Sequence, residues 1–461
     1  MIAKKNILIV LSSKSYYRNY ITTHAFQALK ENFNLHYFLS SEITSFEELD
    51  SKNVYFFTPD QKSDAQHLRI FNLLMWANRK KSISFEFRIK RFHQLKLSFP
   101  PGTSLVIRFI KTIWRLLQWF LIRFEAYVIA TSPFFQLYLN LFTRNLKPHP
   151  VLINVLEELT PDLVIYPSSA YEAIGNDVVT QCKRMDITSL FLIDNWDNLS
   201  SKSVLWEKPS YISVWGEQSK AHATKIQGIE DSKIFKLGTP RFNSYFKLRD
   251  KNLESPYPYK YILFVGTTLP FNEAQALAAM DEVIDRNQSI FPNTKIIYRP
   301  HPWRQGEDSI SGFALNHVVV DEQLRDAYFK QDFSENIQPE ISYYPKLLKN
   351  AEFVTGGLTS MVVEATIFRK PFIALVHEDD SPVTTPKNIY NNFTHFRDIK
   401  RMKNIIFCDN LKKIDEQFIS ANKQKLINLN EQTDADRMYF YHNNHKDYSD
   451  NLNSICKEIV S

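Results

Sequence analysis

Residues 352–378 read EFVTGGLTSMVVEATIFRKPFIALVHE. Two short apolar runs, one ending in paired glycines and one following a proline, enclose a stretch with helical character. This order is typical of a strand–helix–strand unit, in which the two strands are parallel. Because the chain has only ten glycines, a pair at a strand-to-helix turn indicates a close approach of backbone or ligand. The stretch therefore predicts an α/β fold built on a doubly wound parallel sheet.

The same alternation of strand-like and helix-like runs extends over most of the chain in two series. The first series begins with the strand-like run NILIVL near the N-terminus, and the second begins with YILFV in the middle of the chain. Polar, proline-bearing residues 247–259 separate the two series and are typical of a linker. We therefore predict two Rossmann-like domains at residues 1–246 and 255–415, followed by C-terminal helices at 416–461.

The composition is that of a globular protein, with 44% hydrophobic and 23% charged residues in a chain of 461. Its three cysteines lie far apart without metal-site spacing, and so sparse and odd a set favours a reducing compartment. The apolar run near the N-terminus is too short for a signal peptide and fits a first strand. The sequence has no Gly-x-Ser-x-Gly elbow, Walker loop or His-Glu-x-x-His pattern, so the enzyme classes that depend on them are not predicted.

The positive charge of the chain is concentrated in one segment. Residues 79–147 carry 13 Lys and Arg against two Asp and Glu, a net charge of +11, whereas the rest of the chain has a net charge of −5. Within this segment, residues 104–125 predict a basic amphipathic helix with its cations within about a third of the circumference and apolar residues opposite. With two tryptophans, such a helix suits the surface of an anionic membrane.

Another interpretation of this segment remains open. The helix at 104–125 can instead pack on its own core and expose a solvated basic face. Nucleic acid is not predicted as a partner of residues 79–147, because the segment lacks a supporting motif. The uncharged residues 126–143 contain Pro133, Gln136 and Asn140, which disfavours a transmembrane span.

Three loops of the second series follow predicted strands, where open α/β sheets bind their ligands. The second loop lies in YRPHPWR, residues 298–304, where two prolines stiffen the backbone. Its side chains Arg299, His301 and Arg304 are hydrogen-bond donors suited to binding an anion, although prolines that only end a strand are the simpler interpretation. The first loop consists of Gly266, Thr267 and Thr268.

The third loop is the turn that contains Gly356 and Gly357. Its Thr359 or Ser360 can cap the following helix, whose exposed N–H groups attract phosphate. Glu364 lies one turn inside that helix, where a carboxylate can accept hydrogen bonds from ribose hydroxyls. An ordinary capped helix is the alternative, but three such loops together predict a nucleotide-phosphate site.

The motifs of these loops carry a family resemblance. YRPHP, followed roughly sixty residues later by TGGLTSMVVEA and PFIAL, resembles the donor half of GT-B glycosyltransferases. The nearest groups are bacterial surface-polysaccharide enzymes with cytidine-activated donors, namely CMP-ulosonic acid (Kdo-like and sialic-acid-like) transferases and CDP-glycerol glycerophosphotransferases. DNWDNLSSK, VWGEQ and LGTPRF resemble other blocks of this group, so that the resemblance covers about residues 160–380.

The resemblance implies a GT-B fold, with two Rossmann-like domains facing across a cleft. It further implies that donor phosphate and cytidine bind at His301, Pro302, Thr359 and Ser360. The acidic-acidic-glycine base motif of the better-described bacterial sialyltransferases is missing from this sequence. The identity of the catalytic base must therefore be proposed from the residues themselves.

The candidates for that base are Asp194 and Asp197 of DNWDN, which follows a predicted strand. Such a carboxylate can deprotonate an acceptor hydroxyl or attack the anomeric carbon, although an Asx turn would use the same residues. Arg241 of GTPRF is predicted to meet the donor phosphate, with a structural salt bridge as the alternative. Residues 377–380, HEDD, resemble a metal cluster, but adjacent acids after a strand are more typical of a solvated loop.

These observations predict a metal-independent glycosyltransferase with no bound cofactor. Residues 255–415 would bind the donor, a CMP-activated ulosonic acid, and residues 1–246 the acceptor, a lipid-linked or polysaccharide glycan of a bacterial capsule or lipopolysaccharide O-antigen. We expect a cytoplasmic protein, peripheral on the inner face of the membrane through residues 104–125. A glycerophosphotransferase using CDP-glycerol, a UDP-sugar transferase or 2-epimerase, and a non-enzymatic membrane scaffold are the alternatives.

Overall fold

The computed structural model describes two compact units, each built on its own parallel sheet. The first unit comprises Met1–Thr239 with His445–Ser461, and the second comprises Pro240–Asn444. The residues described are 4–92, 102, 104–144, 146–269, 271–301, 310–330, 341–379, 384–426, 437–442 and 446–461.

The first unit contains a sheet of seven parallel strands. Its strands are β1 (Lys5–Leu11), β2 (Phe33–Ser40), β3 (Val54–Phe57), β4 (Leu163–Ser168), β5 (Thr188–Ile193), β6 (Tyr211–Val214) and β7 (Ile234–Lys236). They lie in the order β3-β2-β1-β4-β5-β6-β7. The order reverses between β1 and β4, and ligands of open α/β sheets bind beyond the carboxyl ends of strands at such a reversal.

Helices cover both faces of this sheet, and their apolar sides form two separate hydrophobic clusters. Burial on both faces explains why the central strands are continuous apolar runs without polar alternation. The helices are α1 (Lys14–Tyr16), continued by a π-helical segment (Tyr17–Ile21), α2 (Leu29–Asn32), α3 (Gln61–Ala77), α4 (Ile83–Phe92), α5 (Leu105–Tyr127), α6 (Phe135–Thr143), α7 (Pro150–Leu159), α8 (Ala173–Arg184) and α9 (Glu217–Lys225).

The second unit repeats the arrangement with six parallel strands. These are β8 (Lys260–Val265), β9 (Thr294–Arg299), β10 (Val318–Val320), β11 (Val354–Gly356), β12 (Phe372–Leu375) and β13 (Ile405–Cys408), in the order β10-β9-β8-β11-β12-β13. The reversal falls between β8 and β11, which the first and third predicted loops follow. The helices are α10 (Pro240–Arg249), α11 (Glu273–Arg286), α12 (Glu322–Lys330), α13 (Tyr343–Asn350), α14 (Met361–Ile367), α15 (Pro386–Asn392) and α16 (Ile414–Leu426).

The boundaries of the two units differ from the domain ranges that the sequence predicts. Helix α10, which extends into the predicted linker, belongs to the second unit, and a last helix, α17 (Tyr448–Val460), belongs to the first. Leu452 and Cys456 of α17 are fully buried in the cluster that also contains Ile7 and Ile9 of β1. The C-terminal end of the chain is thus part of the core of the first unit.

Two local features differ from what the sequence pattern indicates. The run THAFQALKENF, residues 23–33, has a helix-like pattern, but only Leu29–Asn32 is α-helical. His24 has a positive φ of 57°, a left-handed conformation that an α-helix cannot accommodate. Strands β7 and β13 were not predicted as strands.

The basic amphipathic helix is present as α5, and its orientation is unusual. Thirteen of its fourteen large apolar side chains from Leu105 to Phe124 are each 42–82% exposed, and Trp119 is less exposed. The less exposed positions include Arg108, Arg115 and Arg123, so the apolar side of the helix faces outward. This excludes the interpretation in which α5 packs its apolar side on the core. No helix among the described residues is long and apolar enough to cross a membrane.

Candidate functional site

The loops after β8 and β9 lie side by side at the carboxyl edge of the second sheet. The backbone N–H of Gly266 donates to the carbonyl of Arg299 at 2.8 Å. A side chain at Gly266 would place its Cβ 2.9 Å from the backbone nitrogen of His301, so only glycine allows the two loops to approach this closely. The hydroxyl of Thr268 and Nε2 of His301 are 2.9 Å apart and share a hydrogen bond. The structure therefore brings the first two predicted loops together.

The paired glycines bring the third loop against the first. Gly356 has a φ of +141°, and a Cβ there would lie 2.2 Å from the carbonyl oxygen of Val265. A Cβ at Gly357 would lie 2.4 Å from Cγ2 of Thr267 and 2.9 Å from the ring of Phe271. Gly356 is thus required by the close approach of the Val265 backbone, and Gly357 leaves room for the side chains of Thr267 and Phe271 at the reversal between β8 and β11.

A buried carboxylate holds the first loop in place, and the sequence analysis missed it. Glu273, fully buried at the start of α11, accepts from the backbone N–H of Thr267 at 2.9 Å and from the hydroxyl of Tyr298 at 2.6 Å. An acidic residue in the first turn of a helix is so common that it gave no signal. Its contacts with strand β9 and with the loop after β8 are visible only in three dimensions.

The turn after the glycines is closed by a small polar network around Glu364. Glu364 is buried and accepts from the hydroxyl of Ser360 and from the hydroxyl of Tyr245 on α10, each at 3.2 Å. The backbone N–H of Met361 donates to the hydroxyl of Thr359 at 3.2 Å. Burial, and then the charge of Glu364, raise the pKa of Tyr245 well above its ordinary value. The network fixes the carboxylate, which retains lone pairs for further donors.

The structure gives Arg299 partners within its own domain. Its guanidinium is buried and forms an ion pair with Asp321, which follows β10, and it donates to the hydroxyl of Tyr344 at 3.1 Å. The guanidinium also stacks over the Tyr344 ring, 4.6 Å from its centroid. These partners give Arg299 a structural role, while its contact with an anion stays a prediction.

Arg241 lies on α10 within the second unit, four residues before Tyr245. Its guanidinium stacks over the ring of Phe242 at 5.0 Å, and its charge acts to lower the pKa of Tyr245. This places Arg241 near the Glu364 network, while its contact with donor phosphate stays a prediction. Pro302 and Arg304 lie outside the described residues, and their predicted roles also stay predictions.

The described part of the HEDD run, residues 377–379, is partly buried, whereas a solvated loop was predicted. His377 is only 3% exposed, packs edge-on against Phe271, and has no hydrogen-bond partner for either ring nitrogen among the described residues. Burial lowers the pKa of His377. Asp379 is also buried and accepts from the backbone N–H of Asn272 at 2.7 Å. No group of three metal-ligating side chains is present in the described part of the chain.

In the first unit, Asp194 lies at the end of β5 in a fixed, buried position. Its carboxylate accepts from the side-chain amides of Asn19 at 3.2 Å and Asn195 at 3.3 Å. Its backbone is held on both sides, because its N–H donates to Ser168 and its carbonyl accepts from Nε1 of Trp215. A buried carboxylate held this firmly at the end of a parallel strand can act as a base.

Asp197 has a more local role. It precedes a short π-helical segment, accepts from the hydroxyl of Ser201 at 3.1 Å, and lies 3.7 Å from the ammonium group of Lys202. These are the contacts of a residue that closes a turn, which was the alternative interpretation of the motif. Of the two aspartates, Asp194 has the geometry that better suits catalysis.

A second carboxylate at this edge was missed by the sequence analysis. Glu172, in the loop after β4, accepts from the hydroxyl of Tyr16 and from the backbone N–H of Ser169 at 3.0 Å. Burial raises the pKa of Glu172, although these hydrogen bonds act against the shift. Burial, Glu172 and, more weakly, Asp194 raise the pKa of Tyr16. The ends of the neighbouring strands β4 and β5 therefore each present an acidic side chain in one polar cluster.

Comparison with known proteins supports the fold. No protein-family model matches the chain, and no curated protein matches it by sequence. Among solved structures, the UDP-GlcNAc 2-epimerase from Methanocaldococcus jannaschii is similar, with 14% identity, a TM-score of 0.52, and coverage of 98% of this chain and 99% of that chain. A candidate UDP-N-acetylglucosamine 2-epimerase from Listeria monocytogenes is similar at 11% identity and a TM-score of 0.50, covering 99% of this chain and 96% of that chain.

At these identities the similarity shows a shared fold. The chain has the GT-B fold with two parallel-sheet α/β domains, as the sequence analysis predicted.

Proposed function

We propose that this protein is a glycosyltransferase that binds a nucleotide-activated sugar at the carboxyl edge of the second sheet. The observation that carries the proposal is the hydrogen bond between Thr268 and His301, which joins the loops after β8 and β9. Three predicted loops meet at one reversal of the strand order, where open α/β sheets bind nucleotides. The GT-B fold agrees with such a donor domain.

The chemistry assigned to these residues is electrostatic. Thr268 orients the His301 ring, whose remaining N–H donates to the departing phosphate as negative charge develops there. Glu364 accepts from the ribose hydroxyls. The acceptor hydroxyl passes its proton to Asp194 and forms the new glycosidic bond, while the nucleotide leaves with the electron pair of the broken bond.

We further propose a CMP-activated ulosonic acid as donor and a lipid-linked or polysaccharide glycan as acceptor. The support for this narrower assignment is the resemblance of YRPHP and TGGLTSMVVEA to cytidine-dependent surface-polysaccharide enzymes. In such a donor the leaving group is CMP itself, so a single phosphate has to be recognised. The compact loop cluster around His301 is suited to that task.

The test is calorimetric titration of CMP, CDP, UDP and GDP into the wild-type protein and two variants. We expect selective CMP binding that His301→Ala weakens at least tenfold. His317→Ala is the matched control, since His317 precedes β10 at the opposite edge of the same sheet and pairs with Asp285. Preference for CDP would favour a glycerophosphotransferase, and absence of binding by every nucleotide would refute the donor site.

A UDP-GlcNAc 2-epimerase is the second candidate, because both structures reported above are described as such enzymes. An epimerase converts UDP-GlcNAc without an acceptor, whereas the proposed transferase does not. Incubation with UDP-GlcNAc alone, followed by chromatography of the products, separates the two. Formation of the 2-epimer together with preferential UDP binding would replace the transferase assignment.

A further inference from the structure

We propose that the outer faces of α5 and α6 form a membrane-docking surface that inserts into the interfacial region of an anionic lipid bilayer. This α5–α6 surface consists of the outward side chains of Leu105–Tyr127 and Phe135–Thr143. It is independent of the donor loops, and it adds a partner to the proposed function.

The exposed apolar area of α5 is large. Phe109, Trp114, Phe120 and Phe124 are 66%, 60%, 60% and 45% exposed. If the full area of an aromatic side chain is about 200 Å², the exposed fractions of these four add up to roughly 400–500 Å². That area already equals the largest apolar patch of a typical soluble monomer, and nine further apolar side chains of α5 are exposed beside them.

Contacts at the C-terminal end of α5 fix its orientation. Its C-terminal end is anchored, because Glu125 accepts from Nε of Arg69 at 3.0 Å and from the hydroxyl of Tyr138 at 2.7 Å, and Tyr127 packs on Trp76 at a ring distance of 4.3 Å. The anchor turns the apolar side of the helix away from the body of the unit. A helix fixed in this orientation presents its apolar side to a partner.

Three arginines of α5 lie opposite its exposed apolar side. Arg108, Arg115 and Arg123 lie on the less exposed side of α5, and the Arg123 guanidinium stacks over Trp119 at 4.6 Å. With the outer side chains in the acyl layer, these cations lie behind them at the depth of the lipid headgroups, as in interfacial amphipathic helices. The acidic residue of this helix, Glu125, is already neutralised by Arg69.

Helix α6 extends the surface without adding charge. Phe134, just before α6, and Leu137 and Leu141 within it are 71%, 58% and 52% exposed, and Tyr138 joins α6 to the end of α5.

A second copy of the chain is disfavoured as the occupant, because pairing two segments of residues 79–147 would bring two net charges of +11 together. An anionic bilayer attracts the same charge.

The experiment is flotation of the full-length protein with two kinds of vesicle. One is pure phosphatidylcholine, and the other contains about a third phosphatidylglycerol. We expect the wild-type protein to float with the anionic vesicles. Phe109→Glu combined with Phe120→Glu should lower the vesicle-bound to free ratio at least tenfold, and Lys111→Gln should lower it less and mainly at low salt.

The matched control is Phe329→Glu, since Phe329 on α12 is 53% exposed but lies outside the α5–α6 surface. Brominated lipid provides a second measurement that needs no destabilising change. It should quench wild-type fluorescence on binding, and this quenching should be smaller in Trp114→Phe. Equal flotation of wild type and the double variant would refute the proposal. So would wild-type protein that stays unbound, or a lipid-free dimer, seen by sedimentation velocity, that the double variant abolishes.

Discussion

Replacement of Arg299 by methionine separates a structural role from an anion-binding one. The change removes one partner of a buried ion pair, in which the side chains of Arg299 and Asp321 are 4% and 0% exposed. Breaking a buried pair in this way costs about 3–5 kcal/mol, because the remaining charge stays desolvated. Asp321 keeps hydrogen bonds from the hydroxyl of Tyr343 at 2.8 Å and the backbone N–H of Gln323 at 3.1 Å. We therefore expect the lower end, about 3 kcal/mol.

Thermal unfolding by calorimetry gives the first measurement. For a domain of this size each kcal/mol lowers the melting temperature by about 2–4 °C, so Arg299→Met should lower it by roughly 6–12 °C. The matched control is Arg286→Met, since Arg286 is 52% exposed and pairs with Glu282 and Asp415 at the surface. Such pairs contribute at most about 1 kcal/mol.

A double variant gives the second measurement. In Arg299→Met combined with Asp321→Asn, the buried charge is gone, and we expect recovery of about 1–2 kcal/mol relative to Arg299→Met alone. Nucleotide affinity of the double variant, measured well below its melting temperature, should stay within about threefold of wild type. This corresponds to a change of less than about 1 kcal/mol in the binding free energy. If Arg299→Met melts like wild type but loses nucleotide affinity tenfold or more, the guanidinium binds the donor and the structural assignment is wrong.

Three further changes test other parts of the two units. Asp194→Asn should lower turnover about 10²–10⁴-fold with unchanged nucleotide affinity, whereas Asp197→Asn should keep most activity; equal losses in a steady-state assay would contradict a base role for Asp194 alone. His377→Leu removes a buried ring without hydrogen-bond partners in the described structure, so thermal unfolding should show a gain of about 1 kcal/mol; a variant less stable than wild type would contradict this assignment. Burial raises the pKa of Asp177 to about 7, so the stability that its protonated form provides is complete below pH ~4 and is lost as the pH rises through ~7. Asp177→Asn should therefore exceed wild type in denaturant unfolding, by about 2–3 kcal/mol more at pH ~8 than at pH ~5, and an equal difference at both values would contradict this assignment.

The sequence predicts the positions of most strands because the determining signals are local. An apolar run followed by a turn and a helix-like stretch implies a parallel crossover, and eleven of the thirteen strands were predicted from such runs. The paired glycines at 356 and 357 also marked a close approach correctly, although the approaching groups were unknown. Their neighbours, Val265 and Thr267, are about ninety residues earlier in the chain.

The parts of the site that were missed depend on partners distant in sequence. Nothing in YRPHPWR reveals that Arg299 will meet Asp321, so an arginine in a stiff loop was interpreted as a ligand. Glu172 and Glu273 were missed for the converse reason, since each is one acidic residue near the start of a helix. Their importance lies in hydrogen bonds to Tyr16 and Tyr298 on other strands or helices.

The α5–α6 surface bears on the choice between the two candidate functions. A helical wheel predicts that residues 104–125 have an apolar side but cannot give its direction, and the structure shows that it faces outward. A 2-epimerase acts on a single water-soluble nucleotide sugar, for which a bilayer-binding surface has no use. A transferase whose acceptor is lipid-linked gains from binding the bilayer, since confinement to the membrane raises the effective concentration of enzyme and acceptor. Flotation with anionic vesicles together with CMP selectivity would therefore favour the transferase on two independent grounds, and UDP turnover without vesicle binding would favour the epimerase.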